Sequence, residues 1–215
     1  MMGLFTLIFS YFFRIKINHY PLFLISAIVP WSFFSSSLLQ GTQSLVSNTE
    51  FIKKMRCPRE IFPLSLILTN AVILFIGLIA IIPFMLYFKG TVGIQFLVLP
   101  LVIFIHFLFV LGLALVFSSL HVFYRDVAHI LDFLLLFWFY LTPILYPLSM
   151  VPESFQIFFY SNPMFLIISL YRDILYSGIF PSIEFLFVSL VISLVVLGIG
   201  WKVFGTLEQL VAKEL

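Results

Sequence analysis

Charge is what this sequence has least of. Eleven Lys and Arg and nine Asp and Glu make up only 9% of 215 residues, while 63% are hydrophobic. Soluble domains carry roughly 25% charged residues. A chain this poor in charge cannot dress a water-facing surface, so an integral membrane protein is expected. The net charge of +2 sits in loops rather than in one broad patch, which argues against nucleic acid as a partner. A single cysteine, Cys57, excludes an internal disulfide and any paired-cysteine zinc or redox motif. The chain also lacks a Gly-x-x-x-x-Gly-Lys-Ser/Thr phosphate loop, a serine nucleophile elbow and a His-Glu-x-x-His zinc motif. No catalytic residue and no metal site is expected, since His121, His129 and Asp132 match no helix-borne ligand spacing. Carboxylates inside the apolar runs are too few for a proton relay. Uphill transport by such a chain needs energy from another subunit.

The positive charge that is present is concentrated. Lys53, Lys54, Arg56 and Arg59 fall within the segment Glu50 to Glu60, EFIKKMRCPRE, between two apolar runs. Lys and Arg near span ends are retained on the inner side of a membrane. Pro58 and Glu60 suit the start of a helix, where a missing N–H costs nothing and a carboxylate meets the positive end of the dipole. Two readings fit this segment: a topology anchor, or a structured element at the inner surface that another protein grips.

Apolar runs are read at Met1 to Phe13, Tyr20 to Asn48, Ile61 to Phe88, Ile94 to Leu120, Phe133 to Tyr146 and Ser182 to Phe204. A membrane helix needs about 20 apolar residues. The first run falls short and is read as part of a truncated span; the fifth is also short. His121 to Asp132 reads as an inner loop leading into a helix. Pro30 with Trp31 marks a kink or an interface, and Asn70 and His106 read as buried polar residues satisfied by neighbours. Between the last two spans, Glu153 to Tyr160 and Pro163 to Tyr176 are apolar, aromatic and too short to cross. Such pieces suit a re-entrant or interfacial hairpin whose ends protein covers. The fold expected is all-α and integral to the membrane. It has about six transmembrane helices, the first truncated, with an outer re-entrant helical hairpin before the last span. With the basic loop inside, seven Lys and Arg lie inside and four outside, and both termini lie inside.

The later part of the second run is rich in small polar residues. Ser32, Ser36, Gln40, Gln43 and Ser47 recur at spacings that place them on one helical face. Polar residues inside a membrane helix face protein or a water-filled path rather than lipid. The face is therefore either the wall of a pathway or a packing surface between helices. Aromatic residues make up 19% of the chain and are dense from Phe133 to Tyr176. Their rings suit stacking on sugars, but membrane interfaces use the same residues.

The ordered set PWSFFSSSLLQGTQSLVSN, IKKMRCPREIFPLS, VFYRDVAHILDFLLLFWFYLTPILYPLSMVP and NPM resembles the permease subunit of polysaccharide-exporting ABC transporters, from about Leu4 to Trp201. These bacterial exporters move O-antigen, teichoic acid and related glycans across the inner (cytoplasmic) membrane. The resemblance implies one permease domain over 1–215, a second copy of itself in a homodimer, and a partner ATP-binding ABC subunit. ATP and magnesium would sit on that partner, with no cofactor on this chain. A lipid-linked polysaccharide would pass between two protomers within the bilayer. It implies coupling to the ATPase through Lys53, Lys54, Arg56, Pro58, Arg59 and Glu60, with Arg125 and Asp126 as a second contact. Ser36, Gln40, Gln43, Phe137 and Tyr140 are the candidates for the substrate pathway. The same architecture suits export of a drug or another lipid; a membrane enzyme and a non-catalytic scaffold are the other readings.

Overall fold

The structure, a computed structural model, describes residues 17–54, 58–89 and 92–214. The described residues form helices and turns, without strands. In chain order the helices are α1 Tyr20–Ser47, α2 Thr49–Lys54, α3 Ile61–Lys89, α4 Leu99–Phe123, α5 Val127–Leu141, α6 Glu153–Tyr160, α7 Pro163–Arg172 and α8 Ile183–Glu214. A 3₁₀ turn over Ile94–Val98 leads into α4. Four stretches are long and apolar enough to cross a membrane: Tyr20–Ser47, Ile61–Phe88, Ile94–Phe123 and Ile183–Leu207. The run Met1 to Phe13, expected as a truncated span, lies outside the described residues.

Several boundaries differ from the sequence expectation: α7, expected to Tyr176, ends at Arg172 and passes into a π turn over Asp173–Ser177, and α8 runs to Glu214 rather than Phe204. The fifth helix covers Val127–Leu141 rather than 133–146. At 15 residues it is roughly 22 Å long, short of a hydrocarbon core of about 30 Å. It stops because Pro143 has no N–H to give and disfavours helical geometry in Thr142 before it. The polar loop expected over His121 to Asp132 shrinks to Tyr124–Asp126, because α4 continues through His121 to Phe123. Asp126 then stands just before α5, its carbonyl accepting the first bond from Ile130 N–H at 3.0 Å.

The chain divides into two compact units. One comprises 17–32, 74–89, 92–102 and 138–189. Its core is α7 and the first turns of α1: Met164 to Ile168, Leu170, Tyr171, Tyr20 and Leu22 to Ala27 are buried. Trp31, expected at a kink or interface, is buried here with its ring edge on Phe139 at 5.5 Å. None of the α6 side chains is buried. Asn162 caps α7, accepting from Met164 N–H at 3.0 Å, and Pro163 follows at the first helical position.

The other unit comprises 33–54, 58–73, 103–137 and 190–214. Leu45, Leu115, Val122 and Phe204 form a core cluster, with Val46, Ile52, Phe62, Leu111, Phe123, Leu197 and Leu207 packed on it. His106 is fully buried here, 4.9 Å from the Phe33 ring and beside Phe34. α4 and α8 cross backbone to backbone. A Cβ on Gly112 would meet Leu197 N at 2.6 Å, and one on Gly200 would strike the Gly112 carbonyl. Small residues permit such approach between membrane helices. Gly200→Leu is accordingly expected to destabilise the protein by more than the usual overpacking cost of about 1–3 kcal/mol, since backbone must move. Melting in detergent checks it against Gly198→Leu, where a Cβ meets nothing within 4 Å.

Candidate coupling surface and polar pathway

The basic segment begins where α1 ends. Asn48 Nδ2 donates to Ser44 O at 2.8 Å and Thr49 Oγ1 donates to Val46 O at 2.7 Å, so side chains close the last free carbonyls of α1. The chain turns directly into the six-residue α2, which buries no residue. Its Ile52 packs on the unit's core cluster, fixing the short helix in orientation. Lys53 and Lys54 are exposed. Lys54 Nζ lies 3.4 Å from Glu50 across one helical turn, an exposed pair worth little to stability. Pro58 is exposed, while Arg59 and Glu60 are partly buried. The carbonyls of Pro58, Arg59 and Glu60 accept from Ile61, Phe62 and Leu64 N–H at 3.3, 3.2 and 3.1 Å. They thus start α3, as the sequence led one to expect. Arg56 lies outside the described residues.

Arg125 and Asp126, expected as the second contact, are both exposed in the loop after α4. Ile52 and Phe62, which flank the basic segment, pack on the same cluster as Val122 and Phe123, which precede that loop. Two polar loops far apart in sequence are therefore anchored on one patch of core, at one end of one compact unit. Phe51 and Tyr124 are the exposed aromatics of these same loops, and the sequence did not single out Phe51. The available signal was an aromatic residue lying outside every span.

Along α1 the polar face sorts into two kinds. Ser37, Thr42 and Ser44 are buried; Thr42 donates to Leu38 O at 2.7 Å and Ser44 to Gly41 O at 2.6 Å. The Thr42 and Ser44 hydroxyls satisfy themselves on their own helix, whereas Ser37 Oγ has no hydrogen-bond partner among the described residues. Ser36 is partly buried, and Gln40, Gln43 and Ser47 are exposed, looking away from the core that Leu38 and Leu45 fill. Gln40 Oε1 accepts from Asn70 Nδ2 at 3.0 Å, so Asn70 makes the interhelical bond expected of it. On α5, Phe137 is 68% exposed and Tyr140 61%. The α1 pathway candidates thus share a face, and Phe137 and Tyr140 are exposed on α5. No hydrogen bond or ring contact joins Phe137 to the α1 face among the described residues.

In the unit that holds α7, two polar side chains tie the end of α5 to its surroundings. Asn162 Oδ1 accepts from Trp138 Nε1 at 2.8 Å as well as from Met164 N–H, and its Nδ2 donates to Thr142 Oγ1 at 3.0 Å. Arg172 ends α7 but reaches inward. Its Nη2 donates to Ile144 O at 2.7 Å and its guanidinium lies 3.9 Å over the Phe23 ring. Burial lowers its pKa to about 9, so the charge persists at neutral pH. Asp173 beside it is not its ion-pair partner; burial raises that carboxyl, and a hydrogen bond from the Ser182 backbone opposes the rise.

Among the described residues, no group of three or more His, Cys, Asp and Glu is placed to hold a metal. The profile of the ABC-2 type transporter family matches residues 1–176. An O-antigen export system permease protein RfbA of Klebsiella pneumoniae is 28% identical over 217 residues, covering 99% of this chain and 83% of the relative. The protein of that name from Myxococcus xanthus is 27% identical over 220 residues, covering 100% of this chain and 83% of its own length.

Proposed function

This chain belongs to the ABC-2 type transporter family, and from that premise we propose that it is the membrane subunit of an ATP-driven exporter of a lipid-linked polysaccharide, of O-antigen, teichoic-acid or similar type. The names of its relatives support the cargo class. The observation that carries the reading is the exposed polar face of α1. Gln40 and Gln43 lie in the last turns of a candidate span and are exposed on their own protomer, Gln40 while also accepting from Asn70. Facing lipid, two carboxamides would be costly. Facing a second copy of the chain, they become the hydrophilic wall that a glycan needs.

In this reading the whole chain, 1–215, is one permease domain that works as a homodimer in the bacterial inner membrane. A separate ATP-binding subunit holds ATP and magnesium, and this chain holds no cofactor. Lys53, Lys54, Arg56, Pro58, Arg59 and Glu60 face that subunit, with Arg125 and Asp126 beside them. α6 and α7 form a re-entrant hairpin on the outer side. Ser36, Gln40, Gln43, Phe137 and Tyr140 line the path, the aromatic rings stacking on passing sugars.

A deletion strain is expected to accumulate the lipid-linked glycan on the inner face and to lose it from the cell surface. Unchanged glycan with altered efflux of a drug or a simple lipid would move the cargo to that class. Tagged protein is expected to copurify the ATP-binding subunit in detergent. Replacing Lys53, Lys54, Arg56 and Arg59 together with alanine should make that association weaker and less sensitive to salt, because exposed charges act mainly through screened, long-range attraction.

A further inference from the structure

In the compact unit that holds the polar loops, most exposed large apolar side chains lie on candidate spans or on the apolar α5, where a bilayer covers them. Among the described residues of that unit, Phe51 and Tyr124 do not. Phe51 is 61% exposed on α2, and Tyr124 is 68% exposed in the loop between α4 and α5. Neither belongs to a span: Tyr124 directly follows the end of one and Phe51 stands four residues past another, at the depth of headgroups rather than of lipid tails. We propose that Phe51 and Tyr124 are the two anchors of the docking surface for the ATP-binding subunit, each seating in an apolar hollow with carboxylates at its rim. This rests on the exporter reading above and adds which side chains hold the partner.

The surroundings favour a protein partner of that chemistry. Lys53 and Lys54 flank Phe51, and Arg125 flanks Tyr124, all exposed. The exposed acids nearby are Glu50, whose carboxylate is taken up by Lys54, and Asp126. A basic rim around aromatic centres complements an apolar, acid-edged cleft. Interface energy concentrates in buried aromatic residues, while rim charges mostly steer the encounter. Both anchors are also held in place beforehand. Ile52 and Phe123, their neighbours in sequence, pack on the same core cluster, and Thr49 and Asn48 pin the start of α2. Little freedom remains to be lost on docking, which favours affinity.

The test is copurification of the ATP-binding subunit with the tagged permease, both coexpressed in the native host, for the native chain and for Phe51→Ala, Tyr124→Ala and Phe51→Trp. The native chain is expected to retain the subunit in high salt. Each alanine variant, inserted at native level, should retain about tenfold less or lower, with the loss unchanged by salt. Phe51→Trp should retain it. If the native chain retains no ATP-binding subunit at all, the exporter reading fails, not just the anchors. If the native chain retains it and both alanine variants match it, the anchor proposal falls. A photoreactive benzoylphenylalanine replacing Phe51 supplies an independent readout. Crosslinking to the ATP-binding subunit supports the proposal, and crosslinking to lipid alone assigns Phe51 to the membrane surface and overturns it.

Discussion

Gln43→Leu is expected to cut export about tenfold or more while leaving the protomer at least as stable as before, a tenfold loss corresponding to about 1.4 kcal/mol at one point along the path. Gln43 is exposed on α1 and holds no neighbour in place. Leucine there removes a hydrogen-bonding group from the wall and adds a residue that lipid accepts freely. Gln40→Leu behaves differently, because Gln40 accepts the Asn70 amide at 3.0 Å and Asn70 is buried. Leucine at 40 strands that amide, at a cost of about 1–3 kcal/mol. Gln40→Leu with Asn70→Leu removes both partners and should regain most of the stability without regaining export. The readouts are surface glycan per cell and melting in detergent, arranged as a double-mutant cycle. If Gln43→Leu exports normally, the α1 face is not the pathway wall. If the double variant stays as unstable as the single one, the Asn70 amide is not the source of the loss.

The second large effect is expected at Asn162, on stability first. Its side chain accepts from Trp138 Nε1 and Met164 N–H and donates to Thr142 Oγ1. One amide thus caps α7 and fastens the last turn of α5. Asn162→Leu forfeits the cap, worth about 1 kcal/mol, and leaves the partly buried indole N–H without its acceptor, for about 1–3 kcal/mol more. A total of about 2–4 kcal/mol is a large share of the stability of a typical domain. Asn162→Asp keeps both acceptances and forfeits the donations to Thr142 Oγ1 and Leu141 O, so it should lose less stability than the leucine variant. Thermal melts of the two variants decide the matter. Equal melts for leucine and aspartate would mean that the amide donor, and not the acceptor, carries the clamp.

Much of the fold was legible because long apolar runs leave few alternatives. α1 and α3 start where runs of sufficient length begin, and α6 matches residue for residue. The polar face of α1 was legible for a similar reason: helical spacing alone puts Ser36, Gln40, Gln43 and Ser47 together. What spacing did not separate was the exposed face from the buried hydroxyls of Ser37, Thr42 and Ser44 beside it. That distinction comes from which side Leu38 and Leu45 bury. The fifth helix was misplaced because the apolar run continues through Thr142-Pro143, whereas the backbone cannot. Arg172 illustrates another limit. Its stem reaches the Ile144 carbonyl and the Phe23 face, partners 28 and 149 positions away that no local pattern signals. Phe51 went unnoticed among 29 Phe, and Tyr124 entered only as a member of its loop. In so aromatic a chain, only solvent exposure combined with position outside a span sets them apart.

The crossing of α4 and α8 at Gly112 and Gly200 has a mechanical consequence. Where side chains separate two helices, a displacement of one is partly absorbed as rotamers adjust. Here main chain lies against main chain, and little between them can yield. Farther along the same two helices, Val122 and Phe204 belong to one packed cluster. α4 and α8 are therefore joined at two points and act as a single stiff lever. A push delivered at the Tyr124 end of α4 carries α8 with it, without backlash, over the length between the cluster and the crossing.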